Sequence, residues 1–370
     1  MRIAKVETFA LRASSRSIWS FVEITAGDGR VGVGETTIHR DIDRMEGQVR
    51  QLGDGLMQAA DATAFLNAIP DPDDFVDASA RSGLSQALVD LTAQQAGRPI
   101  WRLHTETPHG TIPVYANINR RTLDRTPQGF AKSASEAVAQ GITAIKIAPF
   151  DGVTTNMSPA EAGPLLDDAF ARIFAVRDVI GDGRLMVDCH WRLNAETYRP
   201  VLDVAEQARL FWIECPFPEE RGWFDAIRDA RRDANARGIL LAGLELKLWE
   251  PGFKPFLEHN CYDVLMPDIK HVGSYERFNA LADASRKAGV KIAPHNPTGP
   301  ISHAHSVMAS AAVENFLILE MQFDETSAFQ GIVEGDLPMP VNGTIARIDS
   351  PGLGLRLDRA RLAGDGALAG

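Results

Sequence analysis

Cysteine is scarce: Cys189, Cys215 and Cys261 are the only three in 370 residues, an odd number with no CxxC spacing. That excludes a disulfide framework and a CxxC-type zinc cluster, and it predicts a protein of the reducing cytoplasm. No uninterrupted apolar run reaches about 18 residues, so no membrane-spanning helix is expected. The opening MRIAKVETFALRASSR meets Glu7 and Arg12 before a signal-peptide core could form, and no signal sequence is expected. Basic residues are in deficit, 38 against 49 acidic, for a net charge of -11. Such a surface repels phosphate backbones, which argues against nucleic acid as a partner. It does not exclude an anionic substrate, because a bound cation can invert the local field. Low-complexity tracts and Gly/Ser/Pro-rich linkers are also missing, and a chain that is 45% apolar is not disordered.

What is present falls into two patterns. Residues 2–11 and 19–24 alternate, and Gly27-Asp28-Gly29 supplies a hairpin turn before VGVGE. Helices are expected at about 41–58 and 83–96, the second ending at Gly97 with Pro99 beyond it. This predicts an N-terminal α+β domain over residues 1–111. From Ile112 the rhythm changes to short apolar runs separated by longer amphipathic ones. Strands are expected at 112–117, 143–148, 184–188, 210–214, 239–245, 263–268, 290–294 and 316–320, with helices such as 159–179 and 274–288 between them. Eight such units predict an α/β fold of the (β/α)8 TIM-barrel type over 112–335. Residues 336–370 read as a tail that packs back on the first domain.

The expected strands end in chemistry. Asp188, Glu214 and Glu245 close three successive strands, one βα unit apart, and every strand of a barrel opens onto the same face. Three clustered carboxylates repel one another unless a cation neutralises them. An all-oxygen set suits Mg2+ better than zinc, although an acid after a strand also caps the helix that follows. Asp268, in MPDIKHVG, and His295, in APHNPTGP, close neighbouring strands. The carboxylate can fix the imidazole's tautomer and leave its other nitrogen as a general base. His190 lies two residues past Asp188, and period-two alternation would put it on the same face, opposite that dyad. Glu320, on the last strand, could hydrogen-bond a developing enolate oxygen if it is protonated. Lys146 is a charge inside a strand, where a lysine is unusual without a partner; it could sit beside a metal-bound carboxylate or act as a base, the alternative being a snorkelling or ion-paired lysine. His303 and His305 read as helix-end or surface histidines, and Cys189 and Cys215 as small interior residues. The glycines of VGVGE have no third glycine or helix to make a dinucleotide fingerprint.

Taken together, VGVGET, SGLSQALVDLTAQQAGRPIWRL, VDCH, WIECPFPE, AGLE, MPDIKHVG, APHNPTGP, ILE and PGLG resemble, in order and spacing, the enolase superfamily. The resemblance is to its mandelate racemase branch, and within that to the acid-sugar dehydratases of the galactonate type. It implies that residues 1–111 cap the barrel. It implies Asp188, Glu214 and Glu245 as Mg2+ ligands, His295 with Asp268 as base, His190 as general acid, and Glu320 as electrophilic partner. The family scheme is a Lys or His base with Mg2+ beside it. A small-molecule sugar acid as substrate and a homo-oligomer follow by the same resemblance. Arg16, Trp19 and His39, from first-domain loops, and Lys146 are candidates for contacting the substrate. The second lysine often found on the second barrel strand is replaced by Ala148, which weakens a lysine-base racemase. Racemisation or epimerisation of a 2-hydroxy acid, and a non-catalytic sugar-acid-binding barrel, are the competing readings.

Overall fold

The computed structural model describes residues 1–364 apart from 39, 40 and 73. Its first unit is an antiparallel sheet of β1 (Ile3–Arg12), β2 (Ile18–Ala26) and β3 (Val31–Glu35), in that order. Gly29, at φ 87°, turns the β2–β3 hairpin, a conformation that costs glycine little. One face of the sheet packs Val22 and Ile24 against Met45, Val49, Leu84 and Leu91 of two helices, α1 (Ile42–Gln58) and α3 (Phe75–Gln95). A short α2 (Ala62–Ala68), capped by Asp61, was not expected. The α3 helix begins eight residues before its expected start. Asp74 caps it by accepting from the Asp77 amide at 3.0 Å. Its first turns bury Ser79, Arg81 and Ser82, so no apolar stripe marks them.

The glycines of VGVGE are explained by contact. A Cβ at Gly32 would stand 2.1 Å from the Ala87 carbonyl oxygen, and one at Gly34 would stand 2.0 Å from that of Gly83. Thus β3 lies directly on the α3 backbone.

The second unit is a curled parallel sheet. Its strands are β4 (Thr111–Asn117), β5 (Ile145–Ile147), β6 (Leu185–Asp188), β7 (Leu210–Glu214), β8 (Leu240–Gly243), β9 (Val264–Leu265), β10 (Lys291–Ile292) and β11 (Leu319–Gln322). They pair in chain order from β4 to β10, with β11 on the free side of β4. Ile292 bridges Phe316, and the Leu317 amide donates to the Ile292 carbonyl at 2.8 Å, so the sheet's two ends meet. Several strands are shorter than their apolar runs, yet single ladder bonds continue past them, as from Met266 N to Gly243 O at 3.0 Å. Inside the curl, Tyr115, Met186, Trp212, Val264, Met266 and Ile318 pack together. Helices α4 (Pro127–Ala139), α5 (Pro159–Ile180), α6 (Ala195–Gln207), α7 (Phe224–Asn235), α8 (Trp249–Glu258), α9 (Tyr275–Lys287) and α10 (Pro300–Ala312) link the strands and cover the outside.

After α11 (Ala328–Gly331) the chain returns across both units. β12 (Val333–Gly335) pairs with β14 (Leu355–Leu357), and β13 (Thr344–Ala346) pairs antiparallel with β4. The Leu353 amide donates to Asp90 at 2.8 Å, and Arg359, opening α12 (Arg359–Gly364), reaches Glu7 and Glu23.

Candidate active site

Because the pairings from β4 round to β11 are parallel, the strands' C-terminal ends share one face. Asp188 and Glu214 end β6 and β7 as direct register partners, and Glu245 follows β8. Asp268, His295 and Glu320 lie beyond β9, beyond β10 and within β11. Each of these acids is buried, as is Lys146 of β5.

One donor atom from each of Asp188, His190 and Glu245 lies within 4.8 Å of the others, a spacing that could hold a metal ion. Glu214 is turned elsewhere. One of its oxygens accepts from Lys146 at 2.6 Å and the other from Trp212 Nε1 at 2.9 Å. Electrostatics mark the crowding. Burial, with only partial relief from Lys146, lifts Glu214 to about 8, and burial beside Asp188 lifts Glu245 well above the carboxylate range. Asp188 escapes: burial works to raise it, but the His190 imidazole holds it at about 2.

His190 reaches Asp188 by a route that alternation does not describe. The strand stops at Asp188, and His190 and Trp191 take left-handed backbone, φ 46° and 57°. The turn is held by Trp191 N to Cys215 O at 2.7 Å. It brings His190 Nε2 to 2.7 Å from Asp188 Oδ2 while leaving the side chain 40% exposed. Two non-glycine residues in this region signal a locally over-determined backbone.

On the other side, His295 Nδ1 contacts Asp268 Oδ2 at 2.9 Å and its Nε2 stands 3.4 Å from Glu245. Lys270, which sequence reasoning passed over, donates its ammonium to the same Asp268 oxygen at 2.6 Å. Burial works to raise the Asp268 carboxyl, but Lys270, His271 and His295 together hold it far below its ordinary value. The available signal was its i, i+2 spacing from Asp268 in MPDIKHVG.

Glu320 corrects an expectation. A protonated Glu320 would need an acceptor, but every neighbour donates to it: Lys146 at 3.0 Å, Asn117 Nδ2 at 2.7 Å and the Asn296 amide at 3.0 Å. Against the pull of burial, Lys146 and His295 keep its carboxyl below the ordinary value, so it is a carboxylate. Lys146 bridges Glu214 and Glu320. Burial opposes its charge, but the two carboxylates outweigh that and raise the ammonium well above its normal range.

The substrate candidates separate. Arg16 lines a cavity of about 340 Å³ together with Asp188 and His190. Trp19 does not. It is 1% exposed, packs edge-on to Phe329, and lines a different cavity, so it is a core residue and not a substrate contact. His39 lies outside the described residues. A larger cavity, about 630 Å³, lies between the first unit and the sheet's open face, lined by Thr37, Ile38, Phe75, Asp268 and His295.

His303 and His305 are not on the surface; both are buried in α10. Their Nε2 atoms donate to the carbonyls of Pro338 and Val33, at 2.9 Å each. Glu35, also missed, crosses from β3 to accept from Thr298 Oγ1 at 2.6 Å and from the amides of Gly299 and Ser302 at 2.8 Å. It therefore supplies the negative charge at the N-terminus of α10, which has no cap of its own.

A family model described as enolase C-terminal domain-like matches residues 129–361, and the chain belongs to that family. It is 27% identical over 355 residues to the D-gluconate dehydratase of Thermoproteus tenax, covering 91% of this chain and 67% of that one. It is 25% identical over 376 residues to the D-galactonate dehydratase of Variovorax paradoxus (strain S110), covering 98% and 94%. The crystal structure of a mandelate racemase/muconate lactonizing enzyme from Jannaschia sp. CCS1 has the same fold, with a TM-score of 0.86 at 21% identity over 100% of this chain and 99% of that one.

Proposed function

We propose that the protein is a Mg2+-dependent hydro-lyase that converts a sugar acid into its 2-keto-3-deoxy acid. The observation that carries this reading is the placement of two imidazoles on opposite sides of one acidic cluster. His295 is backed by Asp268, and His190 by Asp188. The dehydratase names of the two curated relatives support it.

Asp188 and Glu245, whose oxygens lie close together, would hold the ion, with Glu214 joining them by exchanging a contact to Lys146 or Trp212 for the cation. Three buried carboxylates at the ends of successive strands form an oxygen-rich donor set that suits a hard cation. When bound, Mg2+ offers positive charge for the substrate's carboxylate and for the negative charge that grows there. His295 Nε2 takes the proton from the carbon next to that carboxylate, with Asp268 holding the ring through Nδ1. His190 gives a proton to the hydroxyl of the following carbon, which leaves as water. The resulting enol tautomerises to the keto acid. Lys146 contributes fixed positive charge, and Glu320 orients Lys146 and the loop at Asn296.

The same proposal reads the curled sheet as a closed (β/α)8 barrel over 112–335, with residues 1–111 as its cap and 336–370 as a return to that cap. The separate apolar core of residues 3–91 supports the division. A cytoplasmic location is supported by three buried free thiols, and a homo-oligomer by the family resemblance. No helix among the described residues is long and apolar enough to cross a membrane.

A panel of sugar acids incubated with Mg2+ and assayed for 2-keto-3-deoxy products tests the reading. Formation of keto acid supports it. Deuterium uptake from D2O into recovered substrate, with no keto acid, would replace it with racemisation or epimerisation. Binding with neither reaction would leave a sugar-acid-binding protein.

A further inference from the structure

The cavity beside His190 carries an imbalance of charge that the proposed reaction does not use. Three arginines line it: Arg16 from the β1–β2 loop, Arg125, and Arg192 from the left-handed turn after β6. Arg125 is already engaged, with its guanidinium bonded twice to Asp151 at 2.8 and 3.0 Å. Arg16 and Arg192 are not. Arg16 donates to the Asn119 carbonyl at 3.3 Å and Arg192 to that of Val153 at 3.2 Å, and neither has a carboxylate partner among the described residues.

The acids of the same cavity cannot serve them. Asp151 is shared between Arg125 and Arg172, and Asp188 is taken by His190. The cavity on the His295 side is balanced by contrast, since its Arg44 pairs with Asp74 and Asp77. In a chain with net charge -11, two guanidiniums lining one recess without carboxylate partners give it a local positive charge. Sugar hydroxyls do not require them. A planar carboxylate, accepting paired N–H bonds, does.

We infer that this recess receives a second carboxylate, so that the substrates are aldaric acids, with a carboxylate at each end, gripped at the far end by Arg16 and Arg192. The inference rests on the dehydratase reading and deepens it. His190 acts on the carbon beyond the one that loses its proton, so the rest of the substrate extends past His190 into the cavity that Arg16 and Arg192 line. About 340 Å³ accommodates that remainder.

Matched aldarate and aldonate pairs of the same configuration, with 6-phosphoaldonates as a third arm, are assayed with the Mg2+-loaded enzyme. Their protection against thermal unfolding is measured in parallel. We expect the diacid to be preferred in kcat/KM by about 10- to 100-fold, and Arg16→Gln and Arg192→Gln each to cut that preference about tenfold, chiefly through KM. Arg16 is exposed on its loop, so its replacement leaves the fold intact. Dehydration of aldonates as good as that of aldarates overturns the inference while sparing the dehydratase reading, and so does a preference untouched by both variants. Preference for the phosphorylated acids overturns the dicarboxylate in favour of phosphate. If no acid is dehydrated, the dehydratase reading fails, and thermal protection decides. Greater protection by aldarates, lost in Arg16→Gln, upholds the second carboxylate, and equal protection overturns it.

Discussion

Lys270 grips the carboxylate that orients His295: its ammonium lies 2.6 Å from Asp268 Oδ2, the same oxygen that His295 Nδ1 meets at 2.9 Å. The proposed base is therefore one end of a three-member hydrogen-bonded array. Replacing Lys270 with Met removes the cation that most strongly opposes the effect of burial on Asp268. We expect the acid limb of the kcat/KM profile to move to higher pH and kcat to fall about tenfold. An unmoved limb would show that Lys270 only packs.

The two histidines separate by isotope. His295→Asn should abolish both keto-acid formation and exchange of the α proton with D2O. His190→Asn should retain exchange and lose about 100-fold or more in dehydration. NMR of recovered substrate reads the first effect and product assay the second. Normal dehydration by the His190 variant would remove it as the acid.

Mg2+ binding should release protons. Burial beside Asp188 lifts the Glu245 carboxyl well above its ordinary range, so it gives up a proton before it can serve a cation. Affinity should rise with pH, and calorimetry in buffers of different ionisation enthalpy should show proton release. Saturating Mg2+ should add about 3 kcal/mol of stability at a hundredfold excess over Kd. Glu245→Gln should abolish that gain, and chelation should stop turnover.

Acid should weaken the fold through His303 and His305. Each ring donates from Nε2 to a carbonyl, and its Nδ1 faces a donor, Asn296 Nδ2 at 2.9 Å or the Tyr275 hydroxyl at 2.7 Å. Burial lowers both from 6.5 to about 4. Between those values the unfolded chain binds protons that the folded one refuses, so stability rises with pH across the window and is lost as pH falls through it. Each ring accounts for about 3 kcal/mol. His271 is lowered too, to about 3, so His305→Gln, which keeps a donor and an acceptor, should cut the slope of urea midpoint against pH by about a third. An unchanged slope would place the acid sensitivity elsewhere.

Gly34→Ala should cost about 2–3 kcal/mol, since the added carbon meets the Gly83 carbonyl oxygen at 2.0 Å and neither backbone can yield. Thermal unfolding of the variant checks it.

The strand ends were legible because period and chemistry coincide there. An apolar run ending in Asp188, Glu214 or Asp268 announces both an element and a site. What escaped was set by three-dimensional company. His190 is delivered by a left-handed turn that no alternation encodes. Glu320 reads as a possible donor until Lys146, Asn117 and Asn296 are seen aimed at it. Trp19 and His303 resemble surface functional groups until the core closes over them. The early turns of α3 hide because Ser79, Arg81 and Ser82 are buried polar residues, which break the stripe that marks a helix.

Glu35 leaves a practical legacy for anyone recombining such chains. The helix that follows the His295 loop borrows its terminal anion from a residue some 260 positions upstream. Grafting in a foreign N-terminal segment to alter selectivity thus carries a hidden condition. Unless the donor brings its own acid to that spot, the graft will slacken the loop that bears the base, and the chimera will lose turnover for reasons unrelated to the recognition it was built to change.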